Sequence, residues 1–497
     1  MAHAGPRRPS AITLFRLGIF IVCLGALAHT SADPDLWGHL RFGRDIVAAH
    51  HLTRVDPYSF TSDRPWINHE WLAEVLMFGA YRAMGSAGLV LMKLALVLGV
   101  LLLAMGLLRD VPDVMTRDRL TALLALGMLT RTFSFRPQVF SLFLFALLLT
   151  LLVAAERGRR RALVAIPLVM AVWVNLHGGW LVGLGVLGAW LAFGILAPGA
   201  TPRQRVALAT TAVAAVAATL LNPYGLDLWR FLYATVGLAR TDIADWQPMY
   251  AMPAPVLGLW LLVAGVGVAI AIRVGRACPA RHAVVAALLA VLSFRVNRLD
   301  AFFAIAVVML LAPLLALARP GSSRQPSRRV GRLSAASFVA LVVATLLPGS
   351  YLLARNAAAI DIPAGFPEPE AARFVLATHL HGRMITWFGW GEYAIWHFAP
   401  DIRVSIDGRR ETVYTDATIE ANWRFAMNAD RQALEYADRV SADYVWMPNV
   451  APATAALGSR GWTRIFAGPV SSIFARSPAG SYLSPPPPGP PRAYPGP

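Results

Sequence analysis

Long apolar runs alternate with short polar breaks through most of the first 355 residues. Eleven apolar segments stand out, at 12–31, 87–108, 119–133, 138–155, 162–176, 179–197, 206–221, 255–273, 282–294, 299–318 and 334–353. A perpendicular bilayer crossing takes about 20 apolar residues, so several are short; short helices are tolerated where protein covers them or where they line a wet cavity. The stretch 35–48 predicts an interfacial helix and 70–82 (EWLAEVLMFGAYR) an amphipathic one. Beyond residue 356 the pattern changes. Glu370–Leu380 and Arg431–Val440 read as helices, and Met384–Phe388, Ile402–Ile406 and Tyr444–Met447 as strands. The final segment, 481–497 (SYLSPPPPGPPRAYPGP), has too few core formers to fold and predicts a disordered, Pro-rich tail. The chain thus divides into a membrane domain over 1–355 with an outer loop at 32–86, a small α/β domain over 356–480, and the tail.

Composition agrees with an all-α polytopic membrane bundle of about eleven transmembrane helices carrying a small α/β domain. The 497 residues are 57% hydrophobic and 15% charged, with a mean hydropathy of +0.53. A net charge of +17 would suggest nucleic acid in a soluble protein. Here the basic residues bunch between apolar runs, so they set orientation instead, and no nucleic-acid partner is expected. With Arg7 and Arg8 inside, the Arg-rich stretches 109–118, Glu156–Arg161, 198–205, Arg273–His282 and Arg319–Arg332 all fall on the cytoplasmic side. The C-terminal domain then lies outside. The N-terminal basic and apolar run lacks a small-x-small cleavage site and is expected to stay as an anchor. Cys23 and Cys278 suggest neither a disulfide nor a cysteine metal site.

The polar residues with chemical potential collect on the outer side. Asp33 and Asp35 follow the first helix, with His39 one helical turn beyond Asp35 and on its face. A carboxylate there could deprotonate a hydroxyl or hold a divalent cation; equally, one of the two could only cap the helix. His69 and Glu70, between Trp66 and Trp71, form a second acidic cluster. Tryptophans stack on sugar rings, but an interfacial helix would also explain them. Arg131, Arg136, Arg295 and Arg298 stand against the inside rule. Their guanidinium forks suit a lipid phosphate, the alternative being ion pairs with Asp33, Asp35, Glu70 or Asp300. Asn175 and His177 sit in an Asn-Leu-His-Gly-Gly turn that could orient a ligand. Asn222-Pro-Tyr-Gly is chiefly a turn signal, and Trp390-Gly-Glu-Tyr and Asp407-Gly-Arg-Arg are weak signals alone. No G-x-x-x-x-G-K-[ST], G-x-G-x-x-G or G-x-S-x-G motif is present, which leaves nucleotide-driven transport and serine hydrolysis without support.

A first helix, a large outer loop opening on acidic residues, a many-helix bundle and an outer C-terminal domain together resemble the GT-C superfamily of integral membrane glycosyltransferases. Asp35-Leu-Trp-Gly-His39 falls on the first loop motif of the polyprenyl-phosphate-sugar-dependent members, and Asn68-His-Glu-Trp-Leu72 where a second motif would lie. Along nearly its full length the chain is similar to a group of bacterial membrane proteins with D-P-[FY]-S-[FY]-T, H-E-W-L, N-x-H-G-G, N-P-Y-G, W-G-x-Y and D-G-R motifs.

The resemblance implies an inverting hexosyl- or pentosyltransferase at the outer face of the cytoplasmic membrane. Its donor would be a sugar on polyprenyl phosphate, and its acceptor a hydroxyl of a lipid, glycan or protein. Asp35 would be the base, with Asp33 beside it; His39, His69, Glu70, Trp71, Arg131, Arg136, Asn175, His177, Arg295 and Arg298 would contact substrate. The cofactor is undetermined; Asp33, Asp35 and Glu70 would hold a divalent cation if one is used. No Glu follows Asp35, a departure from the pattern. Two other readings remain: a transporter or flippase of a lipid-linked glycan, and a degenerate membrane scaffold for envelope assembly.

Overall fold

The computed structural model describes residues 11–235, 237, 240, 243–318, 335–476 and 494–497. Arg7 and Arg8, the basic loop Arg319–Arg332 and most of the Pro-rich tail (481–493) lie outside the described residues.

All eleven apolar segments carry helix. They are α1 (Ala11–Ala28), the second half of α3 (Trp71–Leu107), α4 (Val114–Thr132), α5 (Gln138–Glu156), α6 (Arg161–Trp173), α7 (Trp180–Leu196), α8 (Pro202–Ala218), α10 (Ala254–Val274), α11 (Ala280–Arg295), α12 (Asp300–Ala306) and α13 (Ala335–Ala358). α12 loosens into π and 3₁₀ turns over Val307–Leu311 and Ala312–Ala316. Among the described residues, four stretches are long and apolar enough to cross a membrane: Trp71–Asp110, Gln138–Glu156, Ala254–Ala277 and Asn297–Ala316.

The remaining helices of this part are α2 (Pro34–Ala49), the first half of α3, and α9 (Leu226–Thr235). α2 is the expected interfacial helix, but it is not half-exposed: Leu36, Trp37 and Leu40 are fully buried. α3 kinks at Met84–Gly85, where Gly85 takes φ +59°, so the amphipathic 70–82 stretch and the apolar 87–108 stretch are separate helices in all but name.

The C-terminal domain adds α14 (Pro369–Ala377), α15 (Gly391–Phe398), α16 (Asp416–Asn428) and five strands. These are β1 (Gly382–Thr386), β2 (Ile402–Val404), β3 (Tyr444–Pro448), β4 (Thr463–Ala467) and β5 (Ser471–Ala475), in the order β2-β1-β3-β5-β4. β1 pairs in parallel with β2 and β3, and α15 crosses over between β1 and β2. β5 and β4 close the other edge as an antiparallel hairpin. Sequence periodicity finds three strands and misses the hairpin, α15 and α16; the single helix expected over Arg431–Val440 is two short turns, Arg431–Leu434 and Tyr436–Arg439.

The two domains are joined by backbone as well as by side chains. Tyr58 and Phe60 of the outer loop exchange hydrogen bonds with Val404, covering the free edge of β2. Ser31 and Ala32 pair with Phe133 and Asp361, tying the end of α1 to the turn before α5 and to the start of the C-terminal domain. Arg41 of α2 donates to the carbonyls of Ile395 (3.1 Å) and Ala399 (2.9 Å) at the C-terminal end of α15.

The last four residues correct the expectation of a wholly disordered tail. Tyr494 is buried against Trp37, and the Pro495 carbonyl accepts from Trp37 Nε1 (2.8 Å). Aromatic burial there offsets the ordering entropy that composition alone leaves unopposed.

Candidate active site

A cavity of about 520 Å³ opens where α2, the start of α3, the turn before α5, the α6–α7 turn, α9 and the Gly408–Thr412 loop meet. One wall is apolar, formed by Leu181, Val182, Phe231, Leu232, Leu299 and Phe302. The other carries Asp35, His39, Glu70, Arg136, His177 and Arg298. Polar residues from loops far apart in sequence thus do converge.

Asp33 and Asp35 take different parts, and local geometry decides which. Asp33 is the N-cap of α2, accepting from Asp35 N–H at 2.9 Å, and it forms a close ion pair with Arg136. Asp35 lies one residue inside the helix and projects into the cavity, keeping 29% of its side-chain surface open, with Arg136 Nη2 at 3.7 Å. Burial, reinforced by the Asp33 carboxylate, pushes the Asp35 pKa up to about 6 against the pull of Arg136 and His39. One turn on, His39 Nδ1 meets Glu74 Oε1 at 3.2 Å, and Asn68 donates to Glu74 Oε2 at 2.6 Å. Burial works against the His39 imidazolium, but the Glu74 hydrogen bond and the charges of Glu70, Glu74 and Asp35 leave its pKa raised.

Glu70 sits between two imidazoles, 3.6 Å from His69 Nε2 and 3.7 Å from His177 Nε2. Burial opposes its charge, yet His69, His39 and Arg298 hold its carboxyl below the usual range. His177 Nδ1 accepts from the Gly179 N–H (3.0 Å) and meets Ser141 Oγ at 2.8 Å. Burial drives its pKa down to about 3, so the ring is neutral.

The four outer arginines separate into two sets. Arg136 and Arg298 line the cavity. Arg298 Nη2 lies 3.3 Å from His177 Nε2, and among the described residues no carboxylate pairs with it. Arg131 does not line the cavity: it is locked to Asp300 and Asp245 (both 2.8 Å) and to Asn297, the ion-pair alternative. Arg295 is exposed at the end of α11 and also lies outside the lining. Trp71 and Asn175 bind each other (2.9 Å), and Asn175 further donates to the Ala171 and Leu221 carbonyls (both 2.8 Å). Trp71, Arg131, Asn175 and Arg295 therefore lie outside the cavity lining, and the polar atoms of the first three are engaged by protein partners. His69 lines the cavity beside Phe231.

The C-terminal domain supplies a wall that spacing arguments undervalue. Glu392, Gly408, Arg409, Arg410 and Glu411 all line the cavity, as do Arg240 and Trp246 from the loop after α9. Arg409 is the joint between the domains. Its guanidinium binds both oxygens of Asp56 (2.7 and 2.9 Å) and both of Asp407 (2.8 and 2.7 Å), beneath Phe42, Tyr58 and Trp66. The D-P-Y-S and D-G-R motifs are thus two halves of one buried ion network. Glu74 is recoverable from sequence, being one turn after Glu70 on the amphipathic 70–82 helix. Asp245 and Arg240 carry no motif, and nothing in their spacing points to the site.

The donor set does not suit a metal. Among the described residues no three His, Cys, Asp or Glu side chains converge as a metal site. Asp33 is held by Arg136 and the α2 N-terminus, Asp35 shares that guanidinium, and Glu70 is flanked by His69 and His177. The three carboxylates expected to hold a cation are therefore not one site.

No protein-family model matches the chain, and no curated protein matches it by sequence. Solved structures do match. The oligosaccharyltransferase AglB from Archaeoglobus fulgidus, in complex with an inhibitory peptide and a dolichol-phosphate, aligns with a TM-score of 0.57 at 12% identity, over 88% of this chain and 69% of that one. ArnT from Cupriavidus metallidurans, bound to undecaprenyl phosphate, aligns with a TM-score of 0.57 at 13% identity, over 94% of this chain and 98% of that one. The arabinofuranosyltransferase AftD from Mycobacteria aligns at 0.53 and 16% identity, over 96% of this chain and 40% of that one. One Archaeoglobus fulgidus structure, aligning at a TM-score of 0.50, is a complex with Zn and sulfate. The chain is similar to these glycosyltransferases in fold.

Proposed function

We propose that this protein is an inverting glycosyltransferase that moves a sugar from a polyprenyl-phosphate donor to an acceptor hydroxyl, at the outer face of the cytoplasmic membrane. The observation that carries the reading is the composition of one cavity. The same cavity is lined by a partly open carboxylate, Asp35, by Arg298, a guanidinium with no carboxylate partner among the described residues, and by apolar side chains. That combination suits an amphiphile with an anionic head and a reacting hydroxyl brought to it. The likeness in fold to proteins solved with dolichol-phosphate and undecaprenyl phosphate supports the same reading.

The chemistry follows from the side chains. The prenyl chain lies along Leu181, Phe231, Leu232 and Phe302, and the phosphate rests between Arg298 and Arg136. Asp35 takes the acceptor's proton as the oxygen attacks the anomeric carbon, the bond to the phosphate oxygen breaks, and lipid phosphate leaves. Arg298, with Arg136, stabilises the charge that develops on the leaving group. Its lipid phosphate leaving group makes a nucleotide-binding motif unnecessary.

Two results are expected here. Only ionised Asp35 accepts a proton, and its pKa is raised to about 6, so transfer falls as pH drops through that value. Initial rates in vesicles should lose about tenfold per pH unit below it. An acid limb near about 4, where an unperturbed carboxyl titrates, would contradict the assignment. Arg298→Ala removes a cavity guanidinium that has no carboxylate partner among the described residues, so it should leave thermal unfolding nearly unchanged. It should lower transfer by about 10²-fold, with Arg298→Lys recovering part. A loss of folded protein would instead mark Arg298 as structural.

A further inference from the structure

The mechanism above leaves one buried carboxyl without a role. Glu392, in the first turn of α15, is 3% exposed, and its Oε2 has no hydrogen-bond partner among the described residues. It reaches the cavity wall between two glycines. A side-chain carbon added at Gly38 would collide with Glu392 Oε2. One added at Gly408 would collide with Asp35 Oδ1 while lying 2.9 Å from Glu392 Oε1. One point beside Gly408 thus lies within 3 Å of both carboxyl groups, which come from opposite domains, so Asp35 Oδ1 and Glu392 Oε1 are no more than about 5 Å apart.

Two carboxylates so placed repel strongly unless a cation neutralises each of them. The groups facing the pair are Asp33 and His39 from α2, Arg136 from the turn before α5, Glu70 from the start of α3, Asp407 and Arg409 from the loop after β2, and Tyr494. Arg136 is shared among Asp33, Asp245 and Asp35. Arg409 is saturated by Asp56 and Asp407. Glu392 forms no ion pair among the described residues, whereas Asp35 has Arg136 at 3.7 Å and opens to the cavity.

We propose that Asp35 and Glu392 act as one carboxyl pair holding a single proton at neutral pH, with the proton on Glu392 and Asp35 the ionised member. Glu392 is then a positioning residue: being neutral, it leaves Asp35 charged and ready to take the acceptor's proton. Burial, then the Asp35 and Asp407 charges, raise the Glu392 carboxyl well above its ordinary range, in keeping with the pair. The role in catalysis rests on the transferase reading; the shared proton does not.

Infrared difference spectroscopy of the full chain in nanodiscs at neutral pH reads the proton without any substrate. A protonated-carboxyl band should be present in the wild type and absent in the near-isosteric Glu392→Gln. In Asp35→Asn, which removes the facing charge, the Glu392 band should persist but titrate about one pH unit lower or more. A Glu392 protonated by burial alone would show the band, but its titration would not respond to Asp35→Asn. A spectrum unchanged by Glu392→Gln, or a Glu392 titration unmoved by Asp35→Asn, overturns the pair. Either result leaves the transferase reading to be judged by sugar transfer alone.

Discussion

Asp35→Asn should leave the protein inserted and folded while lowering sugar transfer by about 10²–10⁴-fold, the usual worth of a positioned general base. The amide keeps the size of the carboxyl and removes its basicity. Stability should be little affected, because Asp35 makes no short ion pair: Arg136 stands 3.7 Å away and is bound more closely by Asp33. Asp33→Ala is the informative contrast. Asp33 caps α2 and clamps Arg136, so its loss should lower thermal stability as well as transfer, by about 1 kcal/mol for the cap alone. Transfer by Asp35→Asn at the wild-type rate would remove Asp35 as base.

Arg409→Ala should be the most destabilising single change in the outer half of the molecule. It leaves the buried carboxylates of Asp56 and Asp407 without their cation, a loss of about 3–5 kcal/mol. Arg409→Lys should not rescue it, since an ammonium cannot form both two-pronged contacts at once. The expected signature is local: faster proteolysis of the 50–66 loop and of the C-terminal domain, with the helical bundle retained. Thermal unfolding and limited proteolysis of the two variants check this. Wild-type resistance in Arg409→Ala would show that the network does not hold the domains together.

Much of the helical part is legible in the chain because apolar runs and their breaks are local signals. The eleven segments and the interfacial helix after Asp33 all appear as helix, and Gly85 separates the amphipathic and apolar stretches where the pattern changes. The candidate site is legible only in part. Asp35, His39, Glu70, Arg136, His177 and Arg298 line the cavity, drawn from residues that were costly or out of place on the outer side. Spacing alone could not choose between Asp33 and Asp35; the backbone N–H that Asp33 accepts makes that choice. Likewise Arg131 and Arg298 look alike in sequence, and only the packing of Asp300 and Asp245 against Arg131 tells them apart. Glu392 and Arg409 stand hundreds of residues from their partners Asp35 and Asp56, where no periodicity connects them. The β4–β5 hairpin escapes because β5 is buried along its whole length, giving no alternation to read.

The central claim is that one cavity joins a lipid-phosphate sugar to an acceptor through Asp35. Mass spectrometry of lipid extracts and envelope polymers tests it most directly, comparing cells with the wild-type protein, cells without it, and cells carrying Asp35→Asn. The account predicts that a polyprenyl-phosphate-linked sugar accumulates and one glycosylated product disappears both without the protein and with Asp35→Asn. Envelope glycans and lipid-linked sugars that are the same in all three would contradict it.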